Sequence, residues 1–276
     1  MVLHLRSVGA QAILQAGLRL EESAHIVLYF MPKSLELFFF LPCLYFSMNH
    51  FQLQNVSIFS FLAGMVGTIG LMLLYHAMSI GMMSIAAPVS ALLAAVLPVV
   101  VGIFTEGLPD FLTLIGFGFA LFAVWMISQG ENGIKDIRSH LTDLKLPLLA
   151  GIGFGFYYIL MHQATSDSDS TIWPLIFARL GGVILVICYL IITRSSLKID
   201  ITALPIISVN GILDLGGNFF FILASRVGRL DVSAVLSSLF PGATVLLASI
   251  FLKERLTRNQ WFGVIAALMA IILMTI

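Results

Sequence analysis

Asn210, Asp214 and Asn218 recur at intervals of four in a stretch that is otherwise apolar from Leu204 to Ser225. On an α-helix this spacing stacks the three side chains along one face, a polar stripe on a hydrophobic rod. The carboxylate can accept from an amine or bind a proton, and the two amides can orient a solute because each both donates and accepts. Gly211, Gly216 and Gly217 thin the same segment. The competing account is interhelical hydrogen bonding within a tight bundle, worth about 0.6–2 kcal/mol per contact. A carboxylate near the middle of a membrane span costs more than packing requires, so the stripe is expected to line a cavity.

Two cations lie at similar depths in apolar runs: Lys33 within Ala24–Ser47, and Arg179 seven residues beyond Ile172. Facing the centre they could clamp a carboxylate, Arg179 in bidentate fashion. The alternative is snorkelling toward lipid headgroups. Lys33 also has Glu36 three residues on along the same face, which favours a local structural pair. Tyr157 and Tyr158, with Trp125 and Trp173, either line a cavity or belong to interfacial aromatic belts. Trp173 and Trp261, near helix starts, favour the belts. His76, next to Tyr75, could relay protons, although a lone histidine at a helix end is more often a polar terminus. Glu106 and Glu254 sit with turn residues in loops, Glu254 between Lys253 and Arg255 as a solvated charge cluster, and neither resembles an intramembrane proton-coupling carboxylate. The candidate substrate-binding set is therefore Asp214, Asn218, Asn210, Arg179, Lys33 and Tyr157, with no catalytic or metal-ligating set.

Other chemistries find little support. No GxxxxGK[ST], HExxH or GxSxG stretch occurs, so neither nucleotide-driven work nor a familiar hydrolase is expected, and no cofactor is implied. The two cysteines, Cys43 and Cys188, sit apart in apolar stretches and read as small core residues. Net charge is zero, and no basic stripe is interleaved with aromatics, which argues against nucleic acid as a partner.

The elements that must hold the polar stripe follow from composition. Hydrophobic residues make up 59% of the 276-residue chain and charged residues 10%, against about 45–50% and 25% in soluble domains. Apolar runs approaching or exceeding the roughly 20 residues that cross a bilayer as helix recur throughout. Runs such as Val183–Ile192 do not alternate in polarity, which sets a β-barrel aside. An all-α, polytopic membrane bundle is expected, because helices satisfy their backbone hydrogen bonds internally in lipid.

Spans are predicted near Ala24–Ser47, Ser57–Met78, Met83–Phe104, Phe111–Ser128, Leu146–His162, Ile172–Thr193, Leu204–Ser225, Val232–Leu252 and Asn259–Ile276. Leu3–Leu18 is short and broken by His4, Arg6, Gln11 and Gln15, and reads as a truncated or degenerate first helix. The count is thus nine to ten. Pro88, Pro98 and Pro241 are expected to kink or hinge their helices.

The segment Ala224–Gly263 repeats the plan of Ala77–Gly116, pairing Ala77 with Ala224, Gly81 with Gly228, Ser90 with Ser237, and Glu106 with Glu254 after a one-residue slip. The long polar linker Gly130–Lys145 divides the copies, giving repeats over residues 1–130 and 146–276. If Leu3–Leu18 counts, each half has five spans, and an odd number forces the second half to enter the membrane inverted. The stripe is not duplicated: its counterparts are Ala63, Gly67 and Leu71. Basic residues such as Lys135, Arg138, Lys145, Arg194, Lys198 and Lys253 outnumber Arg226 and Arg229 in the alternate loops, which places the first set in the cytoplasm.

The stretch ASRVGRLDVSAVLSSLFPGATVLLASIFLKERLTRNQWFG, Ala224–Gly263, resembles the C-terminal signature of EamA-type transporters of the drug/metabolite transporter superfamily. YHAMSIGMMSIAAPVSALLAAVLPVVVGIFTEGL is similar to the matching stretch of the first repeat. The resemblance covers roughly Ser23 to Ile276, and Met1–Arg19 lacks the Trp-Gly opening of the family's first helix. It implies ten helices in two inverted five-helix halves and secondary transport by alternating access. It also implies small metabolites, amino acids or drug-like compounds as substrates, and the Asp214 and Asn218 stripe looks like the family's eighth-helix pattern. The expectation is a non-enzymatic, multi-pass protein of the plasma or inner membrane that exports or exchanges small organic solutes. Its partners would be substrate and bilayer, with room for proton coupling and a homodimer. The rival is a non-transporting or truncated membrane protein serving as an assembly subunit.

Overall fold

Long apolar runs close their backbone hydrogen bonds as helices, and the polar, Gly- and Pro-containing intervals end them. The computed structural model describes residues 55–128, 144–166, 170–193, 204–242 and 257–275, with side chains described for these except 55–57, 81–85, 128 and 204–210. Every regular element among the described residues is helical. In chain order they are α1 (Asn55–Ala77), a π-helical segment (Met78–Met82), α2 (Met83–Glu106), α3 (Phe111–Ser128), α4 (Lys145–Ser166), α5 (Ile172–Thr193), α6 (Leu204–Val227), α7 (Leu230–Ser238) and α8 (Arg258–Thr275). The expected spans at Leu3–Leu18 and Ala24–Ser47 lie outside the described residues, as do Lys33 and Glu36.

Helix ends have local causes. After α2, Gly107 takes φ +84°, a left-handed conformation that costs glycine little, and Pro109 follows without an N–H to extend the ladder. Before α8, the Thr257 amide donates to Gln260 Oε1 at 2.9 Å while the Gln260 amide donates to Thr257 Oγ1 at 3.3 Å, a reciprocal capping box.

One predicted span departs from expectation. Val232–Leu252 was expected to be one helix, but α7 ends at Ser238 and Leu239 forms a turn before the chain resumes helical form at 240–242. Pro241 has no N–H for the carbonyl four residues back, and the Leu239 amide instead bonds Leu236 O at 3.3 Å. α2, by contrast, continues through both Pro88 and Pro98.

Ile58–Ile80, Ala86–Glu106, Ile172–Thr193 and Arg258–Thr275 are long and apolar enough to cross a membrane. Large apolar side chains cover the outer surface, including Leu213, Phe220, Ile192 and Phe262, as lipid contact demands. The protein is an α-helical membrane protein.

Close helix contacts fix the chain directions. Gly151 meets Ser90 and Gly155 meets Leu97, so α4 runs with α2; Gly153 meets Gly70 and Tyr157 meets Gly67, so α4 runs against α1. α6 runs with α4, because Tyr157 bonds Asn218 and His162 bonds Ser225. α8 runs against α3, with Gly116 on Met274 and Gly263 on Ile127. α7 begins beside Gly102, close to the end of α2, and its Val235 then packs with Ala91 and Ala95, so these two are antiparallel. Two ends of the bundle result, one marked by Glu106 and the other by Lys145.

Candidate functional site

Helices α1, α4, α5, α6 and the α7 turn enclose a cavity of about 380 Å³. Its size lies within the range of small-molecule sites, roughly 300–1,000 Å³. Four of the expected residues meet at its wall: Tyr157 from α4, Arg179 from α5, and Asp214 and Asn218 from α6. Arg179 Nη1 donates to Asp214 Oδ2 at 2.7 Å. One turn along α6, Asn218 Nδ2 donates to the Asp214 carbonyl at 2.7 Å, and its Oδ1 accepts from Tyr157 Oη at 2.6 Å. The four-residue spacing read from sequence therefore places the carboxylate and the second amide in one wall. The side chain of Asn210 lies outside those described.

Arg179 neither snorkels nor stands free at the centre. Its side chain is 3% exposed against 38% for Asp214, so the guanidinium sits behind the carboxylate, which is the group presented to the cavity. A buried charge of this kind requires a close countercharge. The backing is aromatic: Tyr158 and Phe221 lie 4.6 Å apart between ring centroids, and Tyr157 and Tyr158 meet edge-on at 5.6 Å. A cationic or zwitterionic head at Asp214 with an apolar body against these rings matches the wall's chemistry.

The glycines divide by role. A Cβ at Gly64 would overlap the carbonyl oxygen of Ala178, so α1 and α5 touch through backbone there, whereas one at Gly217 would meet nothing within 4 Å. Gly217 lines the cavity and serves no helix contact among the described residues. Trp173, expected in an interfacial belt, is buried in the apolar cluster with Met161 and Ile222, while Trp261 is exposed.

A second polar cluster, at the Glu106 end, was not legible as a unit. Glu106, expected in a loop, is the last residue of α2: its Oε1 lies 3.2 Å from His162 Nε2, and its carboxylate accepts from the Leu230 amide at 3.2 and 3.3 Å. His162 Nδ1 is 2.6 Å from Ser225 Oγ. Arg229 pairs with the fully buried Asp231 at 2.9 Å and donates to Gly107 O at 2.6 Å. The Asp231 hydrogen bonds push the Arg229 guanidinium further up from its already high range. Two of these contacts, Glu106 with Leu230 and Gly107 with Arg229, join residues more than 120 positions apart, and periodicity carries no signal for them.

The Glu106–His162–Ser225 order has the makings of a hydrolytic triad, but Ser225 is 3% exposed. Its neighbouring backbone N–H groups are spent within α6, leaving that helix no donor pair for an oxyanion.

An apolar bundle enclosing a largely apolar cavity with a polar stripe in its wall defines a helical membrane protein. Residues 144–276 match the EamA-like transporter family. The chain is 27% identical over 135 residues to the uncharacterized protein MJ1333.1 of Methanocaldococcus jannaschii, a match spanning 49% of this chain and 97% of that one. A protein half as long thus aligns almost entirely. A protein of known crystal structure shares the fold at TM-score 0.73, with 14% identity over 99% of this chain and 93% of that one.

Proposed function

We propose that the protein is a secondary active transporter that exports or exchanges small organic solutes, amino acids or drug-like compounds among them, across the plasma or inner membrane. The observation that carries this reading is the cavity with Asp214 presented to it and Arg179 behind. Substrate binds there, its amine toward Asp214 and its orientation set by Tyr157, Asn218 and Asn210. Lys33 completes the set of expected contacts.

Two inverted repeats, residues 1–130 and 146–276, supply the alternating access. The opposite directions of α1 and α6, of α2 and α7, and of α3 and α8 support this, as does the half-length relative. Lys145 and Arg258 open their helices at the end away from Glu106, so the positive-inside rule puts the Glu106 end outside.

A thermal-shift screen of the purified chain against amines, amino acids and neutral analogues tests the site. Amine-bearing solutes are expected to raise Tm in the parent and not in Asp214→Asn. Equal shifts in both proteins would move binding away from this wall.

A further inference from the structure

The cluster at the Glu106 end joins the two halves of the chain in a way the cavity does not require. Among the described residues, the first half supplies the Glu106 carboxylate, the carbonyls of Glu106 and Gly107 and the nearby charge of Asp110; from the second come His162 at the end of α4, and Arg229 and the Leu230 amide at the start of α7. His162 lies one turn beyond Tyr158, about 6 Å along the axis. The layer between cluster and cavity is apolar, with Met161 and Ile222 fully buried. This end is therefore shut twice, by packing and by polar contacts.

α7 has distinct ends. Its N-cap, Arg229, offers no side-chain acceptor to the helix. The Leu230 amide, at the positive end of the helix dipole, is held by Glu106 from the opposite half. At its other end the ladder breaks at Leu239 ahead of Pro241. Ser237 and Phe240, on either side of that break, line the cavity. A short rod is thus tethered across the halves at one end and jointed beside the solute at the other.

We propose that Glu106, His162 and Arg229 form a latch that holds the Glu106 end of the cavity shut, and that α7 swings about Leu239–Pro241 when the latch releases. Asp231 keeps Arg229 aimed at the α2–α3 corner, with Asp110 as the further charge facing it. Arg226, a further cation among the described residues at this end, is turned to Thr171. A solute that displaces Ser237 or Phe240 strains the joint, and the strain reaches Glu106 through α7. The latch deepens the transport reading and rests on it for its purpose, but its opening can be read without flux.

Spin labels at Thr105→Cys and Val227→Cys, both exposed positions at this end, report the gap by double electron–electron resonance in the full chain with Cys43→Ala and Cys188→Ala. Glu106→Ala and His162→Ala should each move the main distance outward. The double variant should go no further than Glu106→Ala alone, because both singles break the same contact. Labels at His76→Cys and Thr193→Cys, at the opposite end, should not lengthen. Distributions in both single variants that superimpose on the parent would overturn the latch, as would a double variant whose shift is the sum of the two. His162→Ala leaves the Leu230 cap in place and carries the test if Glu106→Ala does not fold. A shift in a protein without flux keeps the latch and sinks the transport reading; flux with unmoved distances does the reverse.

Discussion

At the scale of single residues, the cavity wall consists of groups already engaged with one another. Asn218 spends its amide on the Asp214 carbonyl and its oxygen on Tyr157. Tyr157→Phe removes one neutral hydrogen bond, worth about 1 kcal/mol, and frees the Asn218 oxygen to turn toward solute. The expected outcome is a small loss in Tm with a clear change in the affinity of any solute found by the screen; unchanged affinity would take Asn218 out of recognition. Asp214 and Asn218 were legible because a carboxylate in an apolar run stands out and a four-residue interval determines a shared face. That Arg179 lies behind Asp214 was not, because depth along a helix does not tell which neighbour a side chain meets. Glu106 was missed for a related reason: beside Gly107 and Pro109 it has the surroundings of a solvated turn, and its partners come from distant sequence.

At the scale of elements, helix contact relies on small residues, since lipid offers no hydrophobic drive for association. Gly64 faces the Ala178 carbonyl and Gly181 faces that of Phe61. Gly64→Ala should force α1 and α5 apart and destabilise the bundle by about 1–3 kcal/mol, the usual range for overpacking. Gly217→Ala should leave stability within about 1 kcal/mol of the parent, as a helix-propensity change would, while its methyl group narrows the cavity. Thermal melts of the two variants check the contrast, and equal losses would mean Gly217 is a packing residue after all. Element boundaries such as Phe111–Ser128 and Ile172–Thr193 were legible to the residue because polar or Pro-containing turns bracket them. The end of α7 was not: Pro88 and Pro98 sit inside a continuous helix, so a proline alone does not say whether a helix bends or breaks.

At the scale of the whole molecule, the duplicated plan and the unduplicated stripe divide the labour. Counterpart helices run in opposite senses, with α3 and α8 touching through Gly116 and Gly263, and this supports the proposal of two bodies that rock against each other. Chemistry is concentrated on one side of the pseudo-symmetry, where Asp214 faces the cavity and the corresponding position in α1 is Gly67, packed on Tyr157. The asymmetry fits a carrier that recognises one end of an asymmetric solute. The central claim is that solute crosses the membrane by way of Asp214. It is tested most directly by flux into proteoliposomes of a solute that binds the purified chain, comparing the parent with Asp214→Asn at matched amounts of folded protein. Saturable flux in the parent, lost in the variant, is the predicted result. Flux that is absent from the parent, or equal in both proteins, would contradict it.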